Sequence, residues 1–203
     1  MKPILLTAAG NPENQDRGLV IQDGSQAVLC VADGAGGLSG GAEAATLVVE
    51  LVRQNASLIS NADSCAEVLR KMDAAVAKNS IAGETTCSLA IVTSEEIFGA
   101  SVGDSGVWLI PEEAIHLDLT QAQQRKPFIG SGSAWPVPFR RRKEAGGLLL
   151  LATDGLLKYT SAEQIIAACR SHSADVAAQR LIELVRYPSG ALPDDVTVIL
   201  TML

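Results

Sequence analysis

Five apolar residues, Val28-Leu29-Cys30-Val31-Ala32, run without a break into Asp33-Gly34-Ala35-Gly36-Gly37. An apolar run that ends so abruptly puts a carboxylate at the tip of a buried strand, with the next backbone carbonyl laid open beside it. The device recurs where Leu148-Leu149-Leu150-Leu151-Ala152-Thr153 meets Asp154-Gly155, and a third acid, Asp194, stands just ahead of Asp195-Val196-Thr197-Val198-Ile199-Leu200. A lone Asp-Gly most often marks a type I turn. Three such acids in one chain, two of them ending strongly apolar strands, point instead to a shared site for hard cations, which prefer carboxylate, carbonyl and water oxygens.

The segments around these runs sort into strands and helix pairs. Strands are expected at Ile4–Ala8, 15–21 and 27–32, the last two joined through the turn residues Gln22-Asp23-Gly24-Ser25. Two amphipathic helices follow, one over 42–54 with Ala45, Val48, Val49 and Val52 on one stripe. The other starts at Ser64, where Ser64 and Glu67 have capping-box spacing, and carries Leu69, Met72 and Val76 inward. Strands over 86–93, Glu96–Val102, 107–110 and 114–117 are separated by turns too short for a parallel return, so they form an antiparallel meander. The stretch 120–147, rich in Gln, Pro, Gly and Arg, reads as a long surface loop. Helices over about 160–170 and 173–186 and a last buried strand, Val196–Met202, close the chain. Strands cluster and helices pair off twice, which predicts an α+β fold: a four-layer α/β/β/α sandwich of two mainly antiparallel sheets flanked by helix pairs.

The 203 residues suit one domain, 1–203, without internal repeat or linker. With 47% hydrophobic and 19% charged residues the chain is globular, and its net charge of -7 argues against a nucleic-acid or anionic-membrane surface. Cys30, Cys65, Cys87 and Cys169 form no CxxC pair and read as small buried hydrophobes in a reducing, cytoplasmic setting. His116 and His172 adjoin no motif and are given exposed or capping roles, and Trp135 is read as an anchor of the long loop.

Taken in order, Asn14-Gln15-Asp16, Val31-Ala32-Asp33-Gly34-Ala35-Gly36-Gly37 with Gly41-Ala42-Glu43-Ala44-Ala45, Glu84-Thr85-Thr86, Val102-Gly103-Asp104-Ser105-Gly106, Ala152-Thr153-Asp154-Gly155-Leu156 and Asp194-Asp195-Val196-Thr197 resemble the motifs of the metal-dependent protein phosphatases of type 2C (PPM), in the manner of a short bacterial member. The resemblance implies a protein serine/threonine phosphatase that needs Mg2+ or Mn2+, two ions per site with a weaker third. A water held between the two ions would attack phosphorus in line. Asp33 would bridge the two metals, the Gly34 carbonyl would bind one, and Asp154 and Asp194 would complete the other's shell. Asp16 would act on the second metal through water, and Asp104 matches the acid for the third. The implied partner is a phosphorylated protein, the target of a serine/threonine kinase.

The sequence departs from the family pattern in four places. No arginine stands in Gly10-Asn11-Pro12-Glu13, where members grip the substrate phosphate, and Arg17, next to Asp16 on an extended strand, points to the opposite face. Gln15 replaces a glutamate, and Ala35 stands where many eukaryotic members carry a histidine. The flap after the Asp104 motif is shortened or rebuilt as 121–142. Arg140-Arg141-Arg142-Lys143, the one dense basic cluster, is either a solvated loop or the source of the missing phosphate grip. A phosphoprotein-binding module of this family with little or no turnover is the alternative. A nucleotide-binding enzyme is a more distant one, since Gly34-Ala35-Gly36 begins a dinucleotide fingerprint that Ser39 then breaks.

Overall fold

The computed structural model describes residues 2–35, 39–143, 146–171 and 173–203. Gly36 and Gly37 of the glycine turn, and His172, lie outside the described residues. The chain opens with β1 (Ile4–Ala8), β2 (Asp16–Asp23) and β3 (Gln26–Asp33), followed by α1 (Gly41–Asn55) and α2 (Ala62–Val76). Then come β4 (Cys87–Val92), β5 (Glu96–Val102), β6 (Gly106–Ile110), β7 (Leu117–Asp118), β8 (Val137–Arg142) and β9 (Leu148–Ala152). A short α3 (Asp154–Leu157), α4 (Ala162–Arg170), α5 (Ala174–Leu184) and β10 (Val196–Met202) complete it.

The strands form two sheets, ordered β1-β10-β9-β6-β7 and β2-β3-β4-β5-β8, and every pairing between them is antiparallel. Helices α1 and α2 lie on the second sheet, while α5, packed against α4, lies on the first. The expected four-layer α+β sandwich is therefore the observed one, and a parallel dinucleotide-binding sheet is excluded. Its unbroken apolar strands follow from having an apolar layer on each face. Val28, Cys30 and Ala32 of β3 face α1 and α2, while Ala27, Leu29 and Val31 face the other sheet. On β9, Leu148, Leu150 and Ala152 face α4 and α5, and Leu149 and Leu151 meet Leu29 and Val31 in the central layer. All four cysteines are buried and free.

Three local expectations are corrected. The cap of α2 sits one turn earlier than the Ser64/Glu67 reading: Asn61 accepts from the Ser64 amide at 2.9 Å and Ser64 Oγ accepts from the Asn61 amide at 3.0 Å, a reciprocal box three residues apart. The segment read as one long loop contains β8, an edge strand whose Phe139 alone is buried. The meander is not one sheet, because the chain leaves the second sheet after Val102 and enters the first at Gly106. That crossing carries Asp104 to the end of the sandwich where the two sheets meet.

Candidate metal centre

Asp33 is the last residue of β3, and the hairpin register places it opposite Asp16, the first of β2. The Glu84-Thr85-Thr86 motif fixes its backbone. Thr86 donates its amide to the Asp33 carbonyl at 2.8 Å and accepts from the Asp33 amide through Oγ1 at 3.0 Å, while Thr85 Oγ1 donates to the same carbonyl at 2.8 Å. Thr86 Oγ1 also lies 2.7 Å from Ser105 Oγ, so one threonine ties the Asp33 strand to the Asp104 crossing. Gly34 then packs flat on Gly41 at the start of α1: a Cβ on Gly34 would stand 2.4 Å from the Gly41 carbonyl oxygen. Only glycine permits that approach, which is why the strand must end in one.

Asp16 points between the sheets. Thr153, the last residue before α3, donates its hydroxyl to Asp16 Oδ2 at 2.7 Å, whereas Oδ1 is buried with no hydrogen-bond partner among the described residues. From the first sheet come Asp154, two residues after the end of β9 and the first of α3, and Asp194, two residues ahead of β10. Asp195 has a different task. It is buried, and its carboxylate takes the amides of Gly10 and Asn11 at 2.8 and 3.0 Å on Oδ1 and that of Gln15 at 2.8 Å on Oδ2. This clasp folds the turn after β1 against the acids, where Asn11 Nδ2 donates to Asp194 Oδ1 at 3.0 Å.

The result is a cleft of about 470 Å3 at one end of the sandwich, lined by Asp33, Asp104, Asp154 and Asp194 together with Gly34. Asn11, Gln15, Ala35, Glu84, Thr86 and, on the loop between β7 and β8, Arg125, Lys126 and Phe128 complete the wall. Its electrostatics follow from burial and crowding of like charges. Burial raises the Asp33 carboxyl from an ordinary 3.8 to about 10, helped by Asp16 and Asp154. Burial likewise lifts Asp16 to about 7, with Asp195 and Asp154 adding to the rise, and it raises Asp154, to which Asp104 contributes. An acidic cleft of this kind favours whatever brings positive charge into it.

A family model described as protein phosphatase 2C matches residues 8–186 of the chain. The chain belongs to the protein phosphatase 2C family. A search of curated proteins found no match. Solved structures of the same fold include the serine/threonine phosphatase Stp1 from Staphylococcus aureus, 19% identical with a TM-score of 0.82 over 100% of this chain and 94% of that one. The S. agalactiae serine/threonine phosphatase is 20% identical, with a TM-score of 0.83 over 100% and 99%. The catalytic domain of the phosphatase PstP, solved in complex with 2 manganese ions, is 22% identical, with a TM-score of 0.80 over 98% and 96%.

The donor set fits Mg2+ or Mn2+: Asp33, Asp154, Asp194, Asp104 and the orphaned oxygen of Asp16 all offer hard oxygen donors. Asp33 and Asp154 share a hydrogen bond, and Asp16, Asp104 and Asp194 stand close enough to raise the carboxyl of one or the other. Among the described residues no three His, Cys, Asp or Glu side chains close into a finished cage.

The chain's basic cluster lies elsewhere. On β8, Arg140 pairs with Phe98 and Arg142 with Glu96 of β5, at the end of the sheet opposite Asp104. The distance from Phe98 to Asp104 along the extended chain is about 20 Å, beyond an arginine's reach. Arg140 Nε instead donates to Glu96 at 2.5 Å, and Arg140, Arg141 and Arg142 line a separate surface pocket with Lys143 and Glu95. Their proposed grip on substrate phosphate is thus corrected. Arg17 does turn away from the cleft as expected, its Nε donating to Thr46 Oγ1 at 2.9 Å. What sequence reasoning missed is Arg125 and Lys126, isolated cations in a polar stretch with no motif around them, and Asp195, hidden beside Asp194. Trp135 is exposed and outside the cleft, and His116 packs on Trp108 with ring centroids 4.7 Å apart.

Proposed function

We propose that this chain is a Mg2+- or Mn2+-dependent protein serine/threonine phosphatase that hydrolyses phosphomonoesters. The observation that carries the proposal is the convergence of Asp33, Asp104, Asp154 and Asp194, from strands far apart in sequence, on one cleft. Two divalent cations bound there would supply the positive charge that accepts a phosphate dianion and readies a water for in-line attack. Asp33 would hold both, with the Gly34 carbonyl on one and Asp154 and Asp194 on the other. Asp16 would act at one remove, kept in place by Thr153, and Asp104 would serve a weaker third.

The chain's own contribution is position. The Thr85 and Thr86 hydrogen bonds hold the Asp33 backbone, and the Asp195 clasp holds the turn that carries Asn11 against Asp194. In the reaction water adds to phosphorus, the bond from phosphorus to the serine or threonine oxygen breaks, and that oxygen leaves with a proton. No histidine lines the cleft among the described residues. The implied substrate is a phosphorylated protein made by a serine/threonine kinase, in the cytoplasm. Among the described residues no helix is long and apolar enough to cross a membrane.

Hydrolysis of p-nitrophenyl phosphate with Mn2+, and its loss in Asp33→Ala, tests the reading. Uptake of Mn2+ with no turnover of p-nitrophenyl phosphate or of phosphoserine and phosphothreonine peptides would favour the binding module over the enzyme.

A further inference from the structure

The proposed substrate is an anion and the cleft is walled by acids. Cations bound among the carboxylates balance one side of a phosphate group, and the oxygens that face away from them need donors from the protein. Among the described residues that line the cleft, the basic ones are Arg125 and Lys126, consecutive on the loop between β7 and β8. Arg125 Nε donates to Asp104 Oδ2 at 2.7 Å, which aims the guanidinium at the cleft while its side chain stays 70% exposed. One donor of the planar fork is thereby fixed on Asp104, and the exposed side chain leaves its other donors open to an incoming phosphate. The Lys126 ammonium sits 5.4 Å from the centre of the Phe128 ring, and Phe128 also lines the cleft.

The segment is not a loose arm. Gln124 accepts from the Gly103 amide at 3.3 Å, Gln123 Nε2 donates to the Ser105 carbonyl at 2.8 Å, and Ile129 exchanges two backbone hydrogen bonds with Thr85 at 2.9 and 3.0 Å. Both ends are therefore fastened to the residues that place Asp104 and Asp33. The other arginines that sequence proximity or density would nominate, Arg17 and Arg140 to Arg142, are turned away or at the opposite end of the sheet.

We infer that Arg125, positioned by Asp104, and Lys126 form the phosphate-gripping pair of this cleft. The inference rests on the phosphatase reading but is tested apart from it. The Mn2+-loaded chain is titrated calorimetrically with inorganic phosphate, the product, so that binding is read without turnover. Arg125→Ala and Lys126→Ala are each expected to weaken phosphate binding about tenfold, and the double variant further, because a charge-assisted hydrogen bond is lost in each. Arg125→Lys restores part of the loss, Lys126→Ala leaves Mn2+ affinity within about twofold, and Arg140→Ala, which removes the same charge far from the cleft, changes nothing. With p-nitrophenyl phosphate the same variants raise KM more than they lower kcat. A double variant that binds phosphate within about twofold of the unaltered chain, or an unaltered chain that takes up Mn2+ but no phosphate, overturns the inference. Phosphate binding that depends on both residues in a chain without turnover upholds the inference and defeats the phosphatase reading alone.

Discussion

Burial holds the Asp33 carboxyl in its protonated form far above the ordinary carboxylate range, and that has two measurable consequences at the residue scale. A cation needs the carboxylate, so its binding near pH 7 must expel a proton. Calorimetric titration with Mn2+ in buffers of different ionisation enthalpy is expected to show net proton release, and apparent affinity is expected to rise with pH. Identical heats in every buffer would contradict the assignment. The second consequence concerns stability. The folded-state values of Asp33 and Asp16 are raised, to about 10 and about 7 from 3.8. Between pH 4 and those values the folded cation-free chain binds more protons than the unfolded one, so these groups subtract stability as pH rises. Asp33→Asn removes an ionisable group from that crowd. It is expected to raise the melting temperature of the chelator-treated protein at pH 8, by a few degrees for each ~1 kcal/mol relieved, while abolishing hydrolysis. A lower melting temperature in chelator would show that Asp33 is not under that strain.

At the scale of elements, one buried acid away from the cleft holds a wall of it. Asp73 on α2 accepts the amides of Gly130, Gly132 and Ala134 at 2.8, 2.9 and 3.0 Å, which pins the end of the loop that carries Lys126 and Phe128. Asp73→Ala strands those donors and is expected to cost about 3 kcal/mol, read as a drop of roughly 6 to 12 °C in melting temperature. Hydrogen exchange should quicken over 128–134 before it does in β4. Asn61→Ala, which removes the α2 cap, is expected to cost about 1 kcal/mol and to leave KM unchanged. These elements also show where legibility ends. Strands such as β3 and β9 were readable because both faces are buried and an unbroken apolar run, 27–32 in one and 148–152 in the other, fills them. In β8 the one inward residue is Phe139, set between Pro138 and three exposed arginines, so an edge strand carries no periodic signal. The density of Arg140 to Arg142 suggested a phosphate grip, whereas a place in the cleft depends on tertiary contacts that local composition does not encode. Arg125 reaches Asp104 across 21 positions of chain, and nothing near it in sequence announces that pairing.

For the whole molecule, the two sheets meet at one end with acids from both, and repulsion there opposes the packing of the sandwich. Asp33, Asp154 and Asp194 were legible because each stands where an apolar strand begins or ends, whereas Asp104 was named only through its resemblance to a family motif. The partner that completes Asp16, Thr153, became visible only when both sheets were in place. Cation binding should therefore stabilise the fold as a unit. Mn2+ at about 100 times its dissociation constant is expected to add about 2.7 kcal/mol, a rise of roughly 5 to 10 °C that chelation reverses and that Asp154→Asn diminishes. The central claim, that these acids together make a metal-dependent phosphatase, is tested most directly by release of inorganic phosphate from a phosphothreonine peptide with and without Mn2+. Turnover that requires the ion and disappears in Asp33→Ala is the predicted result. Turnover that persists in chelator, or an ion-loaded chain that releases no phosphate, would contradict it.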